Sequence, residues 1–451
     1  MKKLPCVFTV ILLAILLAGC SNPFHFGSRT VGNELVDTPL KDVVTLRYMI
    51  WDINQVPAYE KIIANFHESH PNISVDIQVV PWNNYWEKLM TEIAGGSAPD
   101  IFWGFIPQVP SLADKNALLP ITDYIESDQF NLDSLNAELV KGFEYNGEQY
   151  GIPKDWDTLG VFYNKELLNR AGFDHYPDNL SWNPTDGGSL VEFLQKLTID
   201  AGGKHPGEEG FDPDNIVQYG FNYTDRGVWD PGDLIGFVAS NDAEILSGGQ
   251  FKPEDKMFET LQFLHDLVFK YHVSPVYTDV KVAGSDKMFL SEQTALWVTG
   301  SWQIIPIQQK AGFEWGIAQF PAGPNNKRVV RVNGLADHIS AQTRYKEEAW
   351  AFMKFINSPG SQDILGQTGT VLPMNQDSIG KFVDYYKKQG IDTSVFVEAF
   401  NGDTVTMPVT KNYMEWVQIW YKTMGLIFSG QMDLEEGLEK IRTEGNPITT
   451  E

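Results

Sequence analysis

The chain has 451 residues, 43% of them apolar, with 34 basic against 59 acidic side chains and a formal charge of −25. That is too long for one small core and too well mixed for disorder, so two domains of roughly 150–250 residues each are expected. A backbone-phosphate binder needs clustered Lys and Arg, so the acidic balance excludes nucleic acid as an expected partner.

Lys2 and Lys3 precede the apolar stretch Val7 to Leu17, which closes on Leu17-Ala18-Gly19-Cys20 and the polar Ser21-Asn22-Pro23. A charged start, a short apolar segment and small residues before a cleavage point read residues 1–19 as a secretory signal; a spanning helix wants ~20 apolar residues. Leu-Ala-Gly-Cys also resembles the lipobox of bacterial lipoproteins, which implies Cys20 as the lipidated N-terminus of the mature chain. Cys6 and Cys20 are the two cysteines, so the mature protein is expected to hold no disulfide and no cysteine metal site. Losing Lys2 and Lys3 takes the charge from −25 to −27. Residues 20–42, with Gly, Ser, Asn, Thr and Pro, read as a tether.

Val43 to Trp51 is a β-branched apolar run, followed by Tyr59, Ile62, Ile63 and Phe66 at helical spacing up to Pro71. Val75, Ile77 and Val79 alternate as a strand, and Trp86, Leu89, Met90 and Ile93 restore the helical period before Gly95-Gly96. Asp100 to Trp103 is a third strand. The pattern predicts a βαβαβ sheet with ligand loops at the strand carboxyl ends, where Trp51, Asp52, Trp82 and Trp103 fall. A second block starts at Tyr150-Gly151-Ile152-Pro153, passes Lys154-Asp155-Trp156-Asp157 and continues as a strand from Leu159 to Tyr163. From Gly172 to Asn222 the composition predicts loop, interrupted by a helix near Leu190 to Leu197. Later helices are expected around Phe258 to Val268 and Glu348 to Ile356.

No phosphate-cradling, zinc-protease or serine-esterase motif is present, and no cofactor is expected. Phe211-Asp212-Pro213-Asp214-Asn215 reads as a turn rather than a calcium loop, and His67 with His70 as solvated surface histidines rather than a metal pair. Asp155 and Asp157 are the best-placed candidates for a glycosidase carboxylate pair, which needs a separation of roughly 5–10 Å, and they suit sugar hydroxyl binding equally well. Sugar rings present an apolar C–H face and a rim of hydroxyls, so a saccharide site wants indole plates beside polar groups. Of the tryptophans, Trp86, Trp315 and Trp350 read as core and Trp297 is undecided. Trp51, Trp103, Trp156, Trp229 and Trp302 each adjoin Asp, Gly or Ser at the end of an apolar segment and are candidate ligand contacts, with Trp82 beside them. Trp416 and Trp420 share a helix face, and Trp416 is preferred as the one reaching ligand.

The segments Leu46 to Leu119, Gly151-Ile152-Pro153 through Phe162-Tyr163-Asn164-Lys165, and Ala295 to Gly300-Ser301-Trp302 together resemble the family 1 extracellular solute-binding proteins, the carbohydrate-capturing subunits of ABC importers. Val332-Asn333-Gly334-Leu335, followed by Glu347 to Phe352, resembles the family's second crossover and next helix. The resemblance implies an α/β, two-lobe, periplasmic-binding-protein-like fold with hinge strands and a ligand cleft between lobes. Crossings are expected near 152–154, 332–334 and 370–373. The lobes would comprise 40–153 plus 335–372 and 154–333 plus 373–451. The expected ligand-binding residues are Trp51, Asp52, Trp82, Trp103, Asp155, Trp156, Asp157, Trp229, Trp302, Asn333 and Trp416; of these the resemblance implies Trp51, Asp52, Trp103, Asp157, Trp229, Trp302 and Trp416 position by position. The expected protein is a monomeric, non-enzymatic lipoprotein anchored at Cys20 on the extracellular face of the cell membrane, passing a sugar to ABC permease subunits. A surface-anchored glycoside hydrolase or lyase and a sugar-sensing lipoprotein remain the alternatives.

Overall fold

The computed structural model describes residues 43–223 and 230–450. It begins with β1 (Val44–Ile50), α1 (Val56–Ser69), β2 (Ile73–Val79), α2 (Trp82–Ala94) and β3 (Ile101–Phe105), with α3 (Val109–Asp114) following directly. In α1, Pro57 sits in the first turn, where its missing N–H is harmless, and the helix stops at His70 before Pro71. Its stripe of Ala58, Tyr59, Ile62 and Phe66 is buried. β1 runs parallel to both β2 and β3, pairing Val44 with Ile73 and Tyr48 with Ile101, which is the βαβαβ unit expected from the periodicity.

The next strand of this sheet, β4 (Ile152–Asn164), is 13 residues long and merges the expected crossover with the expected Leu159 to Tyr163 strand. After it come α4 (Gly188–Leu197), β5 (Ile199–Asp200), β6 (Ile216–Tyr223), α5 (Pro231–Ser240), α6 (Asp255–Phe269), β7 (Thr294–Gly300), β8 (Trp315–Ala318) and β9 (Val329–Ile339). The chain ends through α7 (Lys346–Ile356), β10 (Leu372–Pro373), β11 (Asp403–Val405), α8 (Tyr413–Ile427) and α9 (Leu434–Thr450). β6 corrects the loop expected up to Asn222. Its central Gly220 hid the strand pattern, and the glycine is required there because a Cβ would lie 2.4 Å from the Leu194 carbonyl oxygen of α4.

All eleven of these strands join one sheet, in the order β2-β1-β3-β9-β4-β7-β6-β5, with β8 and β10 also pairing with β4 and β11 with β9. β4 changes neighbours along its length. Ile152 to Thr158 pair antiparallel with Asp337 to Val332 of β9, while Leu159 to Tyr163 pair with β7 and Val161 to Asn164 with β8. β10 lies against Asp155 and Trp156, so the three expected crossing segments are side by side. Both β4 and β9 therefore serve two parts of the sheet.

The buried apolar residues form two clusters, one containing Tyr48, Tyr59, Phe66, Trp103 and Phe352 and the other Phe193, Phe237, Phe263, Trp416 and Trp420. Trp297 and Trp350 are buried in the first, with Trp86 and Trp315 packed partly buried against it. Among the described residues, no helix is long and apolar enough to cross a membrane.

Candidate ligand site

Two groups of side chains gather where β1, β3, β4, β7 and β9 end or cross. The first is aromatic. Trp51 follows the last residue of β1 and Trp82 opens α2; their rings meet edge to face with centroids 5.1 Å apart. Trp82 stacks on Phe105 at the end of β3, at 5.7 Å. Asp52 caps the short turn Ile53–Gln55, accepting from the Asn54 backbone N–H at 2.9 Å and the Gln55 amide at 3.2 Å. Trp302, in the Gly-Ser-Trp turn after β7, packs against the same buried cluster as Trp51 and Trp82. Indoles from well-separated stretches thus border one large buried cluster, with Trp51 and Trp82 in direct ring contact.

The second group is polar and centres on Arg331 of β9. Its guanidinium is ion-paired and hydrogen-bonded to Asp157 of β4, lies 3.6 Å from Asp233 of α5, and sits 5.4 Å from the Trp302 ring centroid. The Asn333 side-chain amide donates to the other Asp157 oxygen at 2.9 Å. Burial pushes the Asp157 carboxyl above its ordinary range, against the pull of Arg331 and Asn333. Burial raises the Asp155 carboxyl above its ordinary range against the pull of Lys154, with smaller upward contributions from Asp157 and Asp52. Arg331 is not among the ligand contacts expected from the sequence. The available signal was a polar alternation, Arg331 then Asn333, among the valines that open the strand.

Four of the residues expected to touch ligand are closed inside instead. Trp103 is 0% exposed because β3 is covered on both faces and flanked by β1 and β9; its indole N–H donates to the Tyr48 hydroxyl at 2.6 Å. Asp155 is buried against Lys154, its partner in hydrogen bond and ion pair. Burial opposes the Lys154 ammonium, yet Asp155, Tyr59 and Asp337 hold its pKa above the usual lysine value. Trp156 is buried where β4 meets β10, donating to the Pro373 carbonyl at 3.1 Å. Trp416 is 0% exposed and packs on Trp420, both within the buried stripe of α8. The neighbouring face of α8 turns toward α2 and α3 instead. Met414 accepts from Gln108 at 3.6 Å, Glu415 pairs with Lys115 at 3.7 Å, and a groove of about 290 Å³ lies between these helices. Trp229 and Cys20 lie outside the described residues.

Among the described residues, no group of three or more His, Cys, Asp or Glu is arranged to hold a metal ion. The Asp212 carboxylate is engaged within its own turn, by the Asp214 backbone N–H at 3.1 Å and the Asn215 amide at 2.7 Å.

The chain matches the family model described as "Bacterial extracellular solute-binding protein" over residues 61–390. A maltooligosaccharide ABC transporter solute-binding lipoprotein of Streptococcus pneumoniae is 22% identical over 460 residues, covering 100% of this chain and 96% of that protein. Among solved structures, Mycobacterium tuberculosis UspC superposes with a TM-score of 0.71 at 27% identity, over 90% of this chain and 100% of that one. An ABC substrate-binding protein of Listeria monocytogenes in complex with cycloalternan superposes with a TM-score of 0.78 at 22% identity, over 90% and 99%. The two-lobe, periplasmic-binding-protein-like fold is thereby established, and the hydrolase alternative falls away, since this is a family of binding proteins rather than enzymes. With a match over well more than half of its length, two crossover strands shared by both parts of its sheet, and aromatic and polar groups collected beside them, the chain belongs to the bacterial extracellular solute-binding protein family.

Proposed function

We propose that this protein captures an oligosaccharide between its two lobes and delivers it to the permease subunits of an ABC importer. The lobes are 40–153 with 335–372, and 154–333 with 373–451. The observation that carries this reading is the pairing of sugar-compatible chemistries at the crossover. Trp51 and Trp82 offer apolar plates, while Asp157, Asn333 and Trp302 offer a polar floor and a further ring. The similar lipoprotein from Streptococcus pneumoniae, named for maltooligosaccharide transport, and the cycloalternan complex from Listeria monocytogenes support a saccharide as the ligand class.

Ligand that touches both lobes only when they close shifts the population toward the closed form, and the permease reads that form. The chain acts as a monomer outside the cell, held to the membrane by lipid on Cys20 after removal of residues 1–19. Titration of the mature protein with an oligosaccharide panel, followed by tryptophan fluorescence, is expected to find a saturable ligand. Trp51→Ala combined with Trp302→Ala is expected to abolish that response; an unchanged affinity removes the assigned site. Loss of sugar uptake in a deletion strain separates transport from sensing.

A further inference from the structure

β1 and β3 run side by side through the pairs Tyr48 with Ile101 and Met49 with Phe102. Just past these pairs the two strand ends carry Trp51, the first aromatic plate, and Trp103, its inner neighbour. One side chain bridges them. Tyr85 of α2 is 0% exposed, and its hydroxyl donates to the Trp103 carbonyl oxygen at 2.8 Å, with the Met49 carbonyl oxygen at 3.3 Å. A hydroxyl has one proton, so the two carbonyls share it and the nearer takes the larger part. Tyr85 thereby ties the carboxyl end of β1 to that of β3 at the point where their paired register stops.

The same ring braces Trp51. Its centroid lies 5.0 Å from that of Trp51 at an interplanar angle of 85°, and Trp103 meets Trp51 at 5.0 Å and 83°. These are edge-to-face contacts, and two of them bracketing one indole resist its turning about the Cβ–Cγ bond. The hydrogen bond from Tyr85 to Trp103 closes the triangle. Trp51 is only partly buried while its two supports are sealed, so its accessible part stands on a pinned base. The Tyr48 and Tyr59 rings lean on Trp103. Trp82 stands three residues before Tyr85 on α2, one turn away on the same side of the helix, so the anchor also seats the helix end that carries the second plate. A plate whose tilt is set before ligand arrives binds more tightly, because no binding energy goes into ordering it.

Resting on the saccharide reading above, we propose that Tyr85 is a positioning residue for that site: without touching ligand, its hydroxyl holds the ends of β1 and β3 together and so sets the tilt at which Trp51 meets a sugar ring.

Tyr85→Phe removes the hydroxyl and keeps the ring, which makes it the test. The mature chain is titrated calorimetrically with trisaccharides of gluco, galacto and manno configuration, below the thermal midpoint of every variant used. The tightest parental ligand then enters a double-mutant cycle of Tyr85→Phe with Trp51→Ala. Tyr85→Phe is expected to weaken that ligand roughly three- to ten-fold when Trp51 is present, the size of one lost hydrogen bond. In the Trp51→Ala background the same change is expected to cost less than about two-fold, because the group it positions is gone. The near-ultraviolet circular dichroism of the packed indoles is expected to shift, with the far-ultraviolet spectrum parental. A general loosening of the fold would instead weaken binding equally in both backgrounds. Equal losses in the two backgrounds, parental affinity in Tyr85→Phe, or an unchanged near-ultraviolet spectrum overturns the positioning role and leaves the saccharide reading standing. Failure of every trisaccharide to bind the parent protein overturns both.

Discussion

The same pair of strands, β4 and β9, carries two buried ion clusters of opposite character. At one end Lys154 lies with 0% side-chain exposure against Asp155, its ammonium 4.0 Å from the centroid of Trp103, with Asp337 on the neighbouring strand accepting from Tyr48 at 2.7 Å. At the other end Arg331 and Asp157 retain 6% and 13% side-chain exposure. Tyr48, Tyr59 and Trp103 wall in the first cluster, whereas the second opens beside the half-buried Trp302. The difference is one of access: the Lys154 cluster is shut away among rings, whereas the Arg331 cluster keeps a small exposed face.

The largest test of this contrast removes the sealed cation. Lys154→Met leaves Asp155 and Asp337 buried without their counter-charge, and about 3–5 kcal/mol of folding stability should disappear in urea titration. A loss below ~1 kcal/mol would mean that the cluster is hydrated rather than sealed.

Next in size is a pH signature. Burial pushes the Asp337 carboxyl up to about 6, against the pull of Lys154, and drops its chain neighbour His338 to about 4. A raised acid contributes stability that is complete below its unfolded pKa of 3.8 and is lost as pH climbs through about 6. A depressed histidine contributes stability present above 6.5 that is lost as pH falls through about 4. Between about 4 and 6 the folded chain holds one extra proton at Asp337 and lacks one at His338, so the two slopes oppose. Asp337→Asn should expose the histidine slope, with about 2–3 kcal/mol lost on acidification from pH 6.5 to 4 relative to the parent. His338→Gln should tilt the profile the other way. Urea midpoints across this range check both, and profiles parallel to the parent would refute the compensation.

A smaller effect divides the tryptophans. Trp51→Ala should weaken saccharide binding by on the order of 2 kcal/mol, ~30-fold, with less effect on the thermal midpoint than Trp103→Phe, which should leave affinity nearly untouched. If Trp103→Phe weakens binding as much as Trp51→Ala, the boundary between sealed and open regions is misplaced. Smallest of all is Glu415→Gln. Its 3.7 Å contact with Lys115 is between side chains 51% and 44% exposed, so screening should hold the change in affinity within about three-fold and erase it at high salt.

Much of the frame was legible because it rests on short-range periodicity. The stripe of α1, the alternation of β2 and the glycines after α2 each have a local cause. The site was less legible because exposure depends on what arrives from afar. Nothing near Trp103 announces that β9, more than two hundred residues later, will lie antiparallel beside β3 and close over it. Trp416 is a different case. Its spacing from Trp420 already placed it on the buried stripe of α8, and the residues turned toward α3 are Met414 and Glu415. The surroundings of Arg331 are harder still to foresee: Asp157 comes from β4, Asp230 and Asp233 from the start of α5, and no spacing along the chain connects them to β9.

The change of neighbours along β4 has a mechanical consequence. Because this strand is paired first with β9 and β10 and then with β7 and β8, relative rotation of the two parts of the sheet has few free amides to work with. The crossover then behaves as a torsion bar that twists with its ladder intact rather than as a slack linker. Deuterium should be taken up slowly throughout 152–164, to nearly the same extent with and without sugar, while the surrounding loops report the difference.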